Sequence, residues 1–258
     1  MGLLWAVTLQ LSTHYLNEYF NAPEDQDNPN RTSFSGGSGA LGPGKLPRQV
    51  ALYAGFTCFA FLASFTVILI SQANLDPIVY LIMVMAFLGS FLYSVPPINL
   101  ERSGYGELIT SIIVAFMLPA FAFVLQAGEL DRLVAMSTIP LVFLHLAMMI
   151  VFELPDYASD SKHNKNTLLV RLGWRNGMNL HHILVSCVYI LLLIEMFLGL
   201  PRFVVLHAAI SLPLALLQVW QIIRIERGAQ PNWTAVTLNA LATFGTMAYF
   251  MTFAYWTN

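Results

Sequence analysis

Six charged side chains interrupt an otherwise apolar chain between Phe152 and Gly173: Glu153, Asp156, Asp160, Lys162, Lys165 and Arg171, in the stretch FELPDYASDSKHNKNTLLVRLG. Asp156 and Asp160 are four residues apart, so on a helix they stand one turn apart on one face. Like charges at that spacing repel unless something cationic sits between them. A divalent ion would remove the repulsion, and a ligand set made only of oxygen favours Mg²⁺ over Zn²⁺. The three basic residues downstream suit a ligand that is itself polyanionic. Together these features point to a site for a diphosphate, with Lys162, Lys165 and Arg171 as its cationic contacts.

A second set of oxygen donors lies far upstream, in HYLNEYFNAPEDQD. Asn17, Asn21 and Asp25 recur at i, i+4 and i+8, with Glu18 and Asp27 beside them. Pro23 disrupts a helix around it, so Asp25 and Asp27 are expected on a loop, off the face that carries Asn17. Gly36, Gly37, Gly39, Gly42 and Gly44 follow, with Pro43. That composition makes a turning loop, either a plain connection or a lid over the site. Tyr93, just before Pro96 and Pro97, is either a phenol at the site or an interfacial anchor. Glu107 fits stabilisation of a helix start. Glu195 is expected to reach the interface, and His145, His181, His182 and His207 show no ligand spacing with one another. His14, three residues before Asn17, either packs or lies at the interface, or faces the same cavity as Asn17.

The elements that must carry these residues are set by composition. The chain of 258 residues is 57% hydrophobic and 10% charged, with mean hydropathy +0.65. Soluble domains carry about 25% charged residues, so the fold expected is an all-α, polytopic membrane bundle in a lipid bilayer, one domain over 1–258. The net charge of −2 carries little information, and no nucleic acid partner is expected. Cys58 and Cys187 lie inside apolar runs and read as packing residues.

Eight apolar segments are expected to span: about 1–20, 49–71, 77–94, 107–126, 133–152, 180–199, 203–224 and 232–256. Loops after the first, third, fifth and seventh hold ten of the basic residues, and the opposite loops hold Arg132 and Arg202. The positive-inside rule makes the first set cytoplasmic. Met1 is then outside, an odd start that one further helix before it would repair. The expectation is therefore nine helices with the first absent, the alternative being an eight-helix protein.

NEYFNAPED and ELPDYASDSKHNKNTLLVRLG resemble the two Asp-rich motifs of the UbiA superfamily of intramembrane prenyltransferases. Asn17, Asn21 and Asp25 match the places of Asn-x-x-x-Asp-x-x-x-Asp, and Asp156 and Asp160 those of Asp-x-x-x-Asp. KNTLLVRLG, the GGSGAL loop followed by PRQ, and YSVPPINL with GEL downstream look most like the branch that contains 1,4-dihydroxy-2-naphthoate polyprenyltransferase of menaquinone synthesis. The resemblance covers nearly the whole chain from the second of nine family helices onward. Three departures stand out: Asn21 for the middle Asp, Glu18 for the Asp after the Asn, and Pro97 where some members carry Lys.

The resemblance implies Mg²⁺-dependent transfer of a prenyl group from a polyprenyl diphosphate to an aromatic acceptor, in the cell (inner) membrane with the site facing the cytoplasm. Asn17, Asp25, Asp156 and Asp160 would hold the metal, with Asn21 and Tyr93 beside the substrate. Terpene cyclisation or transfer to a non-aromatic acceptor is the alternative on the same scaffold. A transporter or non-catalytic membrane protein is the alternative outside it, and would place acids near the bilayer midplane.

Overall fold

The computed structural model describes residues 1–26, 29–72 and 75–258. Asp27 lies outside the described residues. Among them the chain is helical, with one isolated bridge, Leu41 to Leu46, in the glycine-rich loop.

The first half is built from α1 (Gly2–Gln26), α2 (Gln49–Gln72), α3 (Pro77–Ser94), a 3₁₀ turn (Leu100–Ser103), α4 (Gly106–Ile112) and α5 (Leu118–Ala127). The second half follows as α6 (Arg132–Glu153), α7 (Tyr157–Lys162), α8 (Leu168–Leu172), α9 (Trp174–Leu198), α10 (Arg202–Ala208), α11 (Leu212–Glu226) and α12 (Trp233–Thr257). Local sequence sets several ends. Asp76 caps α3 by accepting from the Ile78 amide at 2.8 Å, and Asp131 caps α6 through Leu133 at 2.6 Å. Gly128 and Gly199 close α5 and α9 at φ 80° and 113°.

Proline explains two interruptions inside the rods. Pro119 removes the N–H that would reach the Ala115 carbonyl, and the chain answers with a π turn over Ile113–Met117, between α4 and α5. Pro213 does the same to Ala209, where a 3₁₀ turn joins α10 to α11.

Six of these rods are long and apolar enough to cross a bilayer: Gln49–Ser71, Pro77–Ser94, Gly106–Ala127, Arg132–Glu153, Trp174–Leu198 and Arg202–Glu226. The remaining two of the eight expected segments form α1 and α12, each 25 residues long. The sixth segment begins six residues earlier than its apolar run, at Trp174 rather than 180. Outward apolar side chains such as Leu81, Phe197 and Leu206 are exposed, as lipid-facing surface should be.

One core joins α1, α2, α3 and α5 around Trp5, Ala86 and Phe121. Two more fill the second half, around Leu192, Val204 and Met247 and around Ile150, Leu169 and Ile222. His145 Nδ1 meets Ser111 Oγ at 3.0 Å, so the histidine links α4 to α6.

Close packing between α3 and α4 depends on Gly89. A Cβ there would come within 2.7 Å of Ile113 Cδ1 and 3.1 Å of Ile109 Cγ2. Gly89→Leu should therefore destabilise the detergent-solubilised protein by about 1–3 kcal/mol in thermal unfolding. Gly245→Ala, with no atom within 4 Å of the new methyl, should not.

Candidate active site

Both polar clusters come to one end of the bundle. α1 continues through Pro23 to Gln26, which corrects the expectation that Asp25 leaves the helical face. Pro23 sits in the last turn, where one backbone bond is lost and few remain to be disrupted. Asn17, Asn21 and Asp25 therefore share one face.

The second cluster departs from expectation in the other direction. α6 stops at Glu153, and Asp156 stands at the start of the separate short helix α7 without a side-chain capping bond. The Asp160 amide bonds the Asp156 carbonyl at 2.8 Å, so the two acids do stand one turn apart. Asn164, at φ 54°, then turns the chain back, and the Lys165 amide reaches the Asp160 carbonyl at 2.9 Å. Asn is among the few residues that tolerate this left-handed conformation.

Glu101 joins the two clusters. It sits in the 3₁₀ turn after α3, 5% exposed. Asn17 Nδ2 donates to its Oε2 at 2.7 Å, and Asn21 Nδ2 donates to its Oε1. Lys165 Nζ pairs with the same Oε1 and lies 3.9 Å from Asp160 Oδ1. Ser94 Oγ is 3.5 Å from Oε2. Sequence reasoning missed Glu101, because beside Arg102 in a loop it looks like a solvated pair. In the structure Asn99, at φ 43°, folds the turn inward, which residue spacing does not reveal.

The electrostatics follow from burial and from like charge. Burial pushes the Asp25 carboxyl up to about 7; Lys165 opposes this, while Glu18, Asp156 and Glu101 add to it. Burial likewise pushes Asp160 up to about 6, against Lys165 and with Glu101 and Glu107. For Lys165, burial acts to lower the pKa, but Glu101 and Asp160 outweigh it and the amine is held as a cation. The Tyr93 ring and the Glu101 backbone meet at Gly106. A Cβ at Gly106 would meet Tyr93 Cε2 at 2.9 Å and the Glu101 Cα at 2.8 Å, so only glycine admits both.

The other predicted residues divide. Lys162 is exposed on α7. Arg171 Nη1 donates to the Ser103 carbonyl at 2.6 Å, and its guanidinium lies 5.2 Å from the Tyr105 ring centre. Arg171 thus ties α8 to the loop that carries Glu101. Glu107 and Glu153 accept from the Leu168 and Leu169 amides at 2.9 and 3.1 Å, which fixes the start of α8. His14 is exposed, 3.2 Å from Gln10. Glu195 is buried near the C-terminal end of α9, and its Oε2 has no hydrogen-bond partner among the described residues.

The glycine-rich loop covers the first cluster. Ser38 donates its amide to both Glu18 oxygens at 3.1 and 3.2 Å. Asn30 Nδ2 reaches the Pro155 carbonyl at 3.4 Å, and Phe34 stacks on Phe152 with ring centres 6.1 Å apart. The loop after α1 therefore bridges to the α6–α7 junction. A Cβ built on Gly37 would overlap the Asp25 carboxylate.

A model of the UbiA prenyltransferase family matches residues 1–241. The chain belongs to this family. It is an integral, multi-pass membrane protein. It is 25% identical over 188 residues to a 1,4-dihydroxy-2-naphthoate octaprenyltransferase of Haemophilus influenzae, a match that covers 71% of this chain and 60% of the relative. The chain thus spans about 60% of that relative's length. No solved structure matches it.

The family's chemistry implies a divalent metal, and the residues fit one by donor type. Asp25, Asp156 and Asp160 offer only oxygen, and the Asn21 Oδ1 is buried without a hydrogen-bond partner among the described residues. Among those residues no three His, Cys, Asp or Glu side chains come together as a group that could hold a metal ion on their own. Mg²⁺ does not require one, because it is commonly held by one or two carboxylates together with substrate phosphates.

Gly37 and Gly44 both sit at positive φ, 72° and 73°, but only Gly37 touches Asp25. Gly37→Ala should lose about 1–3 kcal/mol more than Gly44→Ala in thermal unfolding. Equal losses would mean that the loop does not bear on Asp25.

Proposed function

We propose that the chain is a Mg²⁺-dependent prenyltransferase that moves a prenyl group from a polyprenyl diphosphate to an aromatic acceptor, 1,4-dihydroxy-2-naphthoate being the first acceptor to test. The observation that carries this reading is Lys165, a cation 12% exposed and set against Glu101 and Asp160. Asp25, from the other cluster, feels the same lysine and Asp156. An anionic, metal-bridged headgroup suits such a mixture of oxygen donors and buried positive charge.

Asp25, Asp156 and Asp160, with the Asn17 and Asn21 oxygens, would hold the metal. Bound there with the diphosphate, the ion would neutralise charge gathering on the leaving group. Lys165 adds a fixed positive charge in a water-poor setting, where it counts for more than in water. Lys162 stands at the exposed rim, and Arg171 supports the loop behind. As the allylic C–O bond breaks, the diphosphate keeps the electron pair. The acceptor's ring carbon then forms the new C–C bond to the prenyl carbocation, and a proton or CO₂ leaves the ring. The glycine-rich loop excludes water from the cation. Tyr93 presents an aromatic face suited to stabilising it. An open apolar groove of about 870 Å³ between the start of α1 and α5, lined by residues such as Leu3, Val7, Leu118 and Phe121 and lying at the other end of α1 from the polar cluster, offers room for hydrocarbon.

We infer further that α1 and α12 also cross the bilayer, eight crossings in one domain. At about 1.5 Å per residue each reaches some 37 Å. The basic loops favour the cell (inner) membrane with the site on the cytoplasmic side.

The test is prenyl transfer in membranes with geranylgeranyl diphosphate and 1,4-dihydroxy-2-naphthoate, with and without Mg²⁺. Prenylated naphthoquinol should form only with Mg²⁺, and Asp156→Ala should lower the rate by about 10²-fold or more. Diphosphate release without that product would reject the acceptor, and no release at all would reject the enzyme.

The raised carboxyls give a pH signature. Metal must displace the protons that Asp25 and Asp160 retain below about 7 and about 6. Apparent Mg²⁺ affinity should therefore weaken as pH falls from 8 to 6, steepening towards about tenfold per unit for each proton displaced. A flat profile in a titration with inorganic pyrophosphate would remove these two carboxylates from the metal site.

A further inference from the structure

Glu101 is held by its donors and in turn sets which way they face. Its two oxygens accept from Asn17, Asn21 and Lys165, with Ser94 at the limit of range. A carboxylate has about four lone-pair directions, so Glu101 is close to saturated and has little left for a metal. An ionised carboxylate accepts only, so the atoms that Asn17 and Asn21 turn towards it must be their NH₂ groups. The carboxamide oxygens are then the free ends. For Asn21 that oxygen is buried and has no hydrogen-bond partner among the described residues, which is costly unless a ligand completes it.

Position 21 is also where the chain departs from the motif it resembles, with an amide in place of an acid. A carboxylate at 21 would face the Glu101 carboxylate directly. The amide is therefore matched to the acid on the loop.

We propose that Glu101 is a positioning residue: the acid missing from position 21 has moved to the loop after α3, where it turns the Asn17 and Asn21 oxygens towards a metal–diphosphate headgroup and holds Lys165 beside them. This rests on the prenyl-diphosphate reading above. It accounts for three facts together: a buried acid with donors from α1 and from the loop after α7, an orphaned amide oxygen, and the amide at 21. Outer partners of this kind fix ligand orientation, and their loss typically weakens metal binding by about 10–100-fold.

The test uses the full chain in detergent, with Mn²⁺ titrated by electron paramagnetic resonance in the presence of inorganic pyrophosphate, and thermal unfolding without metal. Glu101→Gln should weaken Mn²⁺–pyrophosphate binding by about 10-fold or more. Asn21→Asp should lower the unfolding temperature and weaken binding, since two carboxylates then share one lysine. The double variant Asn21→Asp/Glu101→Gln restores a single carboxylate facing an amide, with donor and acceptor exchanged. It should recover both readouts beyond either single variant.

Glu101→Gln that binds like the wild type, or a double variant no better than the worse single, would overturn the proposal. If the wild type binds no Mn²⁺–pyrophosphate, the diphosphate reading itself fails. The metal-free unfolding cycle then decides alone: non-additive shifts keep Glu101 as the group that sets Asn21, and additive shifts overturn it.

Discussion

A carboxylate buried in an apolar bundle has to be neutralised and fully hydrogen-bonded, or it does not stay there as a charge. Glu101 meets that condition by drawing donors from three places. Asn17 and Asn21 come from α1, Ser94 from the end of α3, and Lys165 from the loop after α7. Removing one partner from a buried charged set costs on the order of 3–5 kcal/mol, against about 0–1 kcal/mol for an exposed ion pair. Glu101 is therefore the side chain on which donors from both polar clusters converge, beside the loop contacts that also bridge them. Its charge is balanced before any ligand arrives, so a diphosphate would meet an assembled site.

Backbone chemistry delivers the two charges at the centre. Asn99 and Asn164 both adopt positive φ, and each turns a loop so that the charged residue two or one positions later points back into the bundle. Gly106 leaves room for the Glu101 backbone against the Tyr93 ring. Glu107 and Glu153 hold the first amides of α8, and Arg171 ties that helix to Ser103. The long helices supply direction and apolar mass, and short irregular segments supply the charges, the usual division between scaffold and site.

This division decides what was legible in the sequence. Hydropathy located the six rods long and apolar enough to cross a bilayer, because a spanning helix is an uninterrupted apolar run whose length the bilayer fixes, and it also marked the long helices α1 and α12. The i, i+4 spacing found Asn17, Asn21, Asp25, Asp156 and Asp160, because helical periodicity survives without tertiary information. The effect of Pro23 was not legible. The rule that proline breaks a helix presumes a helix interior, and Pro23 stands in a last turn already held by the loop above it. Glu101 was invisible for the opposite reason. No period runs through a turn, and its burial comes from partners 84, 80 and 64 positions away. Arg171 was assigned to a ligand on charge, and its tie to the Ser103 carbonyl is a contact that charge does not reveal.

The arrangement also bears on the transporter alternative. A transporter that moves ions or protons needs ionisable groups near the midplane, on helices interrupted there. Here the π turn at Ile113–Met117 and the 3₁₀ turn at Ala209–Ser211 do interrupt two rods, but each is explained by a proline just downstream. Neither segment contains an acid or a base, whereas Asp25, Asp156, Asp160, Glu101 and Lys165 gather where helices end. A charge at a helix end can meet water-soluble metal and phosphate without a dehydrated path through the bilayer. An apolar bundle behind it suits a hydrocarbon chain. A reaction whose substrate is half polyanion and half hydrocarbon needs that split, and a conducting path does not.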